Sequence, residues 1–336
     1  MNNYTKMLGV ARRAVSDACT ITRQVQRNLG QISAITKDDK SPVTVADFAA
    51  QAIVGHTLRD AFGAGVHLVG EESSSALRDG DEPGTLAAIV AAVQGLYPDA
   101  DEKFVLDAID VGAGDTHHAG FWTLDPVDGT KGFLRNQQYA VALAYIEHGR
   151  PVVGVLGCPN LPGDFGVSFD EPDEHGLLYM AIAGNGAFEA PADDPGAAPV
   201  RVLRADHDPA DGISVCASVE SGHSNVDDTG RVMELVGSQR EPARLDSQCK
   251  YAVVARGQAD AYLRLPTKKG YVERIWDHAA GSLVAVEAGA VVSDICGNPL
   301  DFGQGRGLEK NKGVICAAPR VHSRIIAAIK QLGIGR

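Results

Sequence analysis

The sequence predicts a mixed fold in two parts, an α+β first half and an open α/β sheet in the second. Three observations carry this. Between Lys6 and Asn28 the apolar residues Leu8, Ala11, Val15, Ala18, Ile21 and Val25 recur every three or four positions, the period of one helix face. The run YAVALAYIEHGRPVVGVLGCP, residues 139–159, sets two apolar stretches on either side of His148-Gly149-Arg150, as a β-hairpin does. Beyond the Pro/Ala/Asp-rich stretch APADDPGAAP, short apolar runs alternate with helical periodicity, the order expected of an α/β sheet. That stretch sets a boundary near residue 197 and two domains, 1–197 and 198–336. With 336 residues and 44% hydrophobic composition, the chain can bury one large core or two adjoining ones.

The remaining elements follow in order. KDDKSPVTVAD is a polar turn leading into a second helix, FAAQAIVGHTLRDAF, and VHLVGEESSS is a short strand that ends in an acidic loop. Between Arg78 and Gly120 the sequence predicts one helix, TLAAIVAAVQGLY, among loops rich in Asp and Gly. LYMAIAGNGAFEA repeats the hairpin pattern. In the second half GISVCAS, QADAYLRLP, AVVSDI and KGVICAA read as strands. DTGRVMELVGS, WDHAAGSLVAVEAG and HSRIIAAIKQLG read as helices. No internal repeat and no heptad run is present.

Totals narrow the function. A net charge of −12 and a pI near 5.3 argue against nucleic-acid polymers and anionic membranes as partners, because both are bound mainly through excess Lys and Arg. An anionic small molecule remains compatible if positive charge is gathered locally or supplied by metal. The six cysteines (Cys19, Cys158, Cys216, Cys249, Cys296, Cys316) are scattered without CxxC pairs, so buried free thiols are expected rather than disulfides or zinc. The N-terminus lacks a basic-then-apolar signal pattern, and the most apolar run, LAAIVAAV, is too short to span a bilayer. A soluble, cytoplasmic monomer is the expectation.

The chemistry gathers in WTLDPVDGTKGFLR, residues 122–135. Asp125 precedes a proline, which pushes its backbone towards extended geometry at a strand end. The turn that follows brings Asp128 to the same side, where the Val127 carbonyl can point too. Gly129 permits a tight bend, and Thr130 and Lys131 can open a helix whose free N–H groups attract an anion. Three further acids stand where elements end: Asp47 in PVTVAD, Glu71 in VGEES and Asp277 in RIWDHAAG. Each has a plainer explanation. Asp47 and Asp277 can be N-caps, and one or both of Glu71 and Glu72 can belong to a solvated loop. Two like charges about 4 Å apart repel by roughly 4 kcal/mol at an effective dielectric near 20, so converging acids must take up protons or hold cations. Hard oxygen donors without Cys or His favour Mg²⁺. The glycine-rich DFGQGRG is no P-loop, since no Gly-Lys dipeptide occurs anywhere, and His117 and His118 read as loop residues.

DPVDGTKGF, with SPVTVADFAAQ and VGEESSS upstream and WDHAAGSLVAVEAGA downstream, resembles the magnesium-dependent, lithium-sensitive phosphatase superfamily that contains inositol monophosphatase. TKGFLR, IWDHAAG, SVESGHS, LDSQCKY and YLRLP are most similar to its 3'(2'),5'-bisphosphate nucleotidase branch. The resemblance runs from about Tyr4 to Ile334. It implies an α+β / α/β chain folded as a layered αβαβα sandwich of the inositol monophosphatase / fructose-1,6-bisphosphatase type. The site would lie between the halves, the second supplying Asp277 and the nucleotide-binding residues.

The resemblance further implies that Glu71, Asp125 and the Val127 carbonyl hold one Mg²⁺ and that Asp125, Asp128 and Asp277 hold a second, with a third, weaker ion near Glu71. Five carboxylates and two such ions leave about one negative charge before a phosphate of about −2 arrives. Asp47 and Thr130 would orient and deprotonate a water activated by metal, the Gly129 and Thr130 N–H groups would hold the phosphate, and no covalent intermediate is needed. His223, Ser247, Lys250 and Arg264 would bind the second phosphate and the nucleoside. Lys268, Lys269 and Arg274 read as a solvated rim, and His278 as support for a helix start. The implied reaction is removal of the 3'-phosphate from adenosine 3',5'-bisphosphate, and from 3'-phosphoadenylyl sulfate, which would clear a by-product of sulfate assimilation. An inositol polyphosphate 1-phosphatase or inositol monophosphatase is the alternative enzyme, and a non-catalytic nucleotide sensor the alternative of another class.

Overall fold

A computed structural model of the chain describes residues 3–30, 41–78, 83–204, 208, 210, 212–219, 226–238, 242–267 and 270–335. Two sheets organise these residues. The first has seven strands in chain order: β1 (Leu68–Gly70), β2 (Gly120–Asp128), β3 (Ala140–Glu147), β4 (Arg150–Cys158), β5 (Leu177–Ile182), β6 (Ala187–Pro191) and β7 (Val200–Val202). Only β1 and β2 pair in parallel; the other neighbours are antiparallel. The β3–β4 hairpin turns at His148 (φ 49°) and Gly149 (φ 73°), the positive-φ pair that matches strand twist in a two-residue loop.

The second sheet has five strands in the order β11-β12-β10-β8-β9, formed by β8 (Val215–Ala217), β9 (Ala243–Arg244), β10 (Ala261–Arg264), β11 (Val291–Ser293) and β12 (Val314–Ala317). Strand β10 pairs in parallel with β8 and antiparallel with β12, so the sheet is mixed.

Helices fill three layers around the two sheets. Helices α1 (Asn3–Arg27) and α2 (Ser41–Phe62) cover one face of the first sheet, where Trp122, Leu124, Val141, Leu143 and Val155 point. Ala140, Ala142, Ala144 and Leu156, one residue out of step, point to the other face. That face packs on α8 (Cys249–Ala255) and α9 (Ala279–Glu287), which also contact Tyr262 and Cys316 of the second sheet. Ala261, Leu263, Ile315 and Ala317 alternate to the far side and meet α7 (Val226–Val236) and α10 (Pro319–Leu332). The succession helix, sheet, helix, sheet, helix is the αβαβα sandwich.

Several local expectations need correction. Helix α2 begins at Ser41 rather than Phe48, so SPVTVAD is helical and Asp47 lies inside the helix. A proline is tolerated in the first turn, where its missing N–H breaks no intrahelical bond. Between Arg78 and Gly120 there are three elements rather than one helix. They are α4 (Pro83–Gln94), α5 (Glu102–Ile109) and the 3₁₀ turn Asp110–Gly112. Asp101 caps α5 by accepting from Phe104 N at 2.7 Å, a signal hidden in an Asp-rich loop. The short helix α3 (Ser75–Arg78) and helix α8 were also missed. Five cysteines are buried as expected, but Cys296 is exposed. No helix among the described residues is long and apolar enough to cross a membrane.

Candidate active site

Strand β2 does not stop at Asp125. It continues through Pro126 to Asp128, and its pairing with β3 shifts register between the two acids. A proline is accommodated at such an irregularity because no ladder bond is required of it there. Gly129 follows with φ 93° and caps the short helix α6 (Thr130–Leu134). A side chain at Gly129 would also meet the Cβ of Ser247, itself held at φ 70°, so glycine is required on both counts.

The cleft that opens beside this turn has a volume of about 360 Å³, and its lining includes Glu71, Asp125, Val127, Asp128 and Asp277. Asp47, buried one layer behind, faces Glu71 and Glu72. Asp125 is 3% exposed and feels the charge of Glu71, Asp128, Asp277 and Asp47 together, so the five acids do converge. Burial first, then these neighbours, pushes the Asp125 carboxyl well above the ordinary carboxylate range. Asp47 is raised for the same reasons, burial leading and Glu72 and Glu71 following. Glu71 opens to solvent at the mouth, yet enclosure and the charges of Glu72 and Asp128 push it up to about 7, while contacts with Asp125 and Arg274 restrain it. Asp277 is pushed up to about 8 by burial and Asp128, against the pull of Arg264.

Backbone and amide contacts hold the acids in place. Gln51, one turn beyond Asp47 on α2 and fully buried, accepts from Glu72 N at 3.1 Å. Its amide donates to the carbonyls of Glu72 at 2.8 Å and Ile109 at 3.0 Å. Gln248 does the same across the site. Its backbone N–H donates to Asp128 Oδ2 at 2.6 Å, its side chain donates to the Trp276 carbonyl at 2.9 Å, and its Oε1 accepts from Gly281 N at 3.0 Å. Arg306 lies over the Trp276 ring, 4.9 Å from its centroid, and donates to the Gly70 carbonyl at 2.6 Å, which ties the Glu71 loop to the turn that bears Asp277 before α9.

Cationic side chains share the same cleft. Ser247, Lys250 and Arg264 all line the cleft. Lys250 is 2% exposed, its Nζ lies 5.2 Å from the Tyr262 ring centroid, and burial lowers its pKa against the pull of Asp128 and Asp246. Arg264 Nη2 lies 2.8 Å from Glu273 and 3.7 Å from Asp277. Glu273, Asp277 and His278 stand close enough to form a metal-like cluster, but the guanidinium already occupies the cation position there. His278 is fully buried at the start of α9, with Nδ1 2.8 Å from the Tyr251 hydroxyl and Nε2 3.3 Å from Glu273. It supports the helix start, and Asp277 is not the cap. His223, Lys268 and Lys269 lie outside the described residues. Arg274 is exposed, as expected of a rim residue.

The donor set fits a hard divalent cation. Asp125 Oδ1 is buried with no hydrogen-bond partner, although its carboxyl is surrounded by other acids. An orphaned anionic oxygen costs free energy that a cation would recover, and an all-oxygen set suits Mg²⁺ better than zinc. Reading the sequence did not single out Gln51, Gln248, Glu273 or Arg306. Gln51 and Gln248 stood inside the quoted motifs SPVTVADFAAQ and LDSQCKY, but an uncharged amide gives no signal of the backbone it will hold. Glu72, allowed above as solvated, is half-buried, with its pKa raised by burial.

Over residues 3–333 the chain matches the inositol monophosphatase family. It is 42% identical to a Schizosaccharomyces pombe protein named 3'(2'),5'-bisphosphate nucleotidase, across 96% of this chain and 94% of that one. An Emericella nidulans protein of the same name is 40% identical, across 98% of this chain and 99% of the relative. Among solved structures, Mycobacterium tuberculosis SuhB superposes on the whole of both chains with a TM-score of 0.63 at 19% identity. CysQ from Bacteroides thetaiotaomicron, described as a bacterial member of the inositol monophosphatase family, does so with a TM-score of 0.60 at 21% identity, over 95% of this chain and 98% of that one. The structural likenesses speak for the fold, and the sequence match spans nearly every residue of it. The five-layer sandwich and the full-length match together mean that this chain belongs to the inositol monophosphatase family.

Proposed function

We propose that the protein is a magnesium-dependent 3'(2'),5'-bisphosphate nucleotidase that hydrolyses the 3'-phosphate of adenosine 3',5'-bisphosphate, and of 3'-phosphoadenylyl sulfate, to release inorganic phosphate. The observation that carries this is the pairing of five converging carboxylates, one with an orphaned buried oxygen, with Lys250 and Arg264 in the lining of the same cleft. The names of its relatives in Schizosaccharomyces pombe and Emericella nidulans support the substrate class.

In this reading Glu71, Asp125 and the Val127 carbonyl would hold one Mg²⁺, and Asp125, Asp128 and Asp277 would hold a second. Bound Mg²⁺ supplies positive charge that offsets the acids and the incoming phosphate and makes water more acidic. Water attacks phosphorus in line, the bond to the ribose 3'-oxygen breaks, and that oxygen takes a proton from solvent water as it leaves. Asp47, with Thr130, takes the proton that the attacking water loses. Burial and the charges of Glu72 and Glu71 raise the Asp47 pKa, so its strength as a base depends on how far cations offset the charge of its neighbours. Gly129 and Thr130 present backbone N–H groups to the phosphate at the start of α6, where they have no intrahelical acceptor. Lys250, Arg264, Ser247 and His223 bind the 5'-phosphate and the nucleoside. Local cations are what an acidic chain needs for a doubly phosphorylated ligand.

Phosphate release from adenosine 3',5'-bisphosphate, measured with Mg²⁺ and with EDTA and compared with inositol monophosphate and inositol 1,4-bisphosphate, tests the reading. Metal-dependent release that is fastest with the nucleotide is expected. Faster turnover of either inositol phosphate would move the chain to another branch, and nucleotide binding without turnover would make it a sensor.

A further inference from the structure

Among the described residues that line the cleft, two are aromatic, and they differ in exposure. Tyr262 is 3% exposed beneath Lys250, and Tyr251 is fully buried behind His278. Tyr271 also lines the cleft, but it is 52% exposed. It follows Gly270 (φ 81°) and sits at the outer rim. Its hydroxyl accepts from Arg264 Nη2 at 3.4 Å, and the same guanidinium is anchored by Glu273 at 2.8 Å. One edge of the ring is therefore restrained while much of its surface faces water. An exposed, edge-anchored aromatic ring beside a phosphate-binding arginine is suited to a flat, apolar group that continues outward from the phosphate. Leaving that surface wet gains nothing for the free protein, whereas covering it with a heteroaromatic ring gains both burial and stacking.

We infer that Tyr271 is the platform on which the nucleobase of the substrate stacks, and hence a residue that separates nucleotides from base-free phosphate esters. The inference rests on the nucleotidase reading above and adds the residue that senses the base. In that reading the acids serve the scissile phosphate, a group that nucleotides and inositol phosphates share, so a surface that only a base can use adds discrimination. Stacking of this kind tolerates any base, so the preference among adenine, uracil and cytosine is expected to be small.

Two measurements separate the inference from the reading beneath it. Phosphate release by the wild-type protein tests the nucleotidase reading alone. AMP binding by calorimetry, which needs no turnover, tests Tyr271 in the wild type, Tyr271→Ala and Tyr271→Phe. Tyr271→Ala is expected to weaken AMP at least about tenfold, and to raise KM for adenosine 3',5'-bisphosphate in step. Inhibition by inorganic phosphate, which has no base, should be the same in Tyr271→Ala as in the wild type. Tyr271→Phe keeps the ring and should restore AMP affinity to within about threefold of wild type. Equal AMP affinity in wild type and Tyr271→Ala overturns the inference, as does a wild type that does not bind AMP. So does a Tyr271→Phe defect as large as that of Tyr271→Ala, since the hydroxyl contact with Arg264 would then be what matters.

Discussion

Asp47 and Asp125 carry the same charge chemistry but different duties, and their surroundings divide the work. Asp125 lies at the centre of the acids with an oxygen that nothing in the described residues satisfies, so it is suited to holding cations. Asp47 lies behind Glu71 and Glu72 in the second turn of α2, where it reaches the cluster without lining the cleft. It is therefore suited to moving a proton. Asp47→Asn keeps the size and removes the base. The expected result is a fall in kcat of about 10²- to 10⁴-fold, with Mg²⁺ binding by calorimetry and KM changed far less. Wild-type kcat in that variant would remove Asp47 from the reaction. The Asp125 to Thr130 turn was legible in the sequence because its signals are local: a proline, a glycine and two acids within six positions. The role of Asp47 as an interior helical residue was not legible, because Ser and Pro just before it read as a turn, and only packing against α1 and the first sheet extends the helix back to Ser41.

The loops bearing the acids owe their geometry to elements that carry no charge at the site. Gln51 on α2 clamps both backbone groups of Glu72, and side chains at Gly70 and Gly112 would collide with it, so helix, strand end and 3₁₀ turn close around one amide. Gln51→Met keeps the length and removes the amide. It leaves the Glu72 N–H and the Glu72 and Ile109 carbonyls without their partner, at a cost of about 1–3 kcal/mol for each group that water cannot reach. The expected outcome is a lower midpoint in chemical denaturation together with weaker Mg²⁺ binding, because Glu71 no longer has a fixed loop. A destabilised variant with wild-type Mg²⁺ affinity would show that the clamp serves the fold and not the site. Helix α8 has the same standing on the other side: Ser247 and Lys250 were picked out by resemblance, but the helix was missed. CKYAVVA is short and buried on all sides, so it has no polar face to reveal its period.

Across the whole molecule the alternation of strands and helices was readable, and so was the β3–β4 hairpin, whose β3 strand AVALAYIE is apolar at nearly every position and buried on both faces. Which helices cover which face was not, since the pattern says that a face is covered without saying by what. The layer order came from resemblance and is seen in the way α8 and α9 sit between the two sheets. That order has a thermodynamic consequence. Acids drawn from β1, β2, α2 and the start of α9 are crowded only in the folded chain, where Glu71 rises to about 7 and Asp277 to about 8, from ordinary values of 4.5 and 3.8. A carboxyl whose folded pKa is raised gives the folded state its advantage at low pH, where it holds a proton, and loses that advantage as pH climbs through the folded value. Metal-free protein should therefore become less stable between about pH 4 and pH 8. Divalent cations that bind the ionised cluster, which exists only when folded, should reverse this. At a hundredfold excess over Kd such binding contributes about 2.7 kcal/mol, or a rise in Tm of roughly 4 °C for a chain of this size. Thermal melts of EDTA-treated protein with and without Mg²⁺ at pH 5 and pH 8.5 should show a larger Mg²⁺ shift at pH 8.5, where the ion no longer competes with protons. An equal shift at both pH values, or a larger one at pH 5, would mean that the acids do not act together as the cation site.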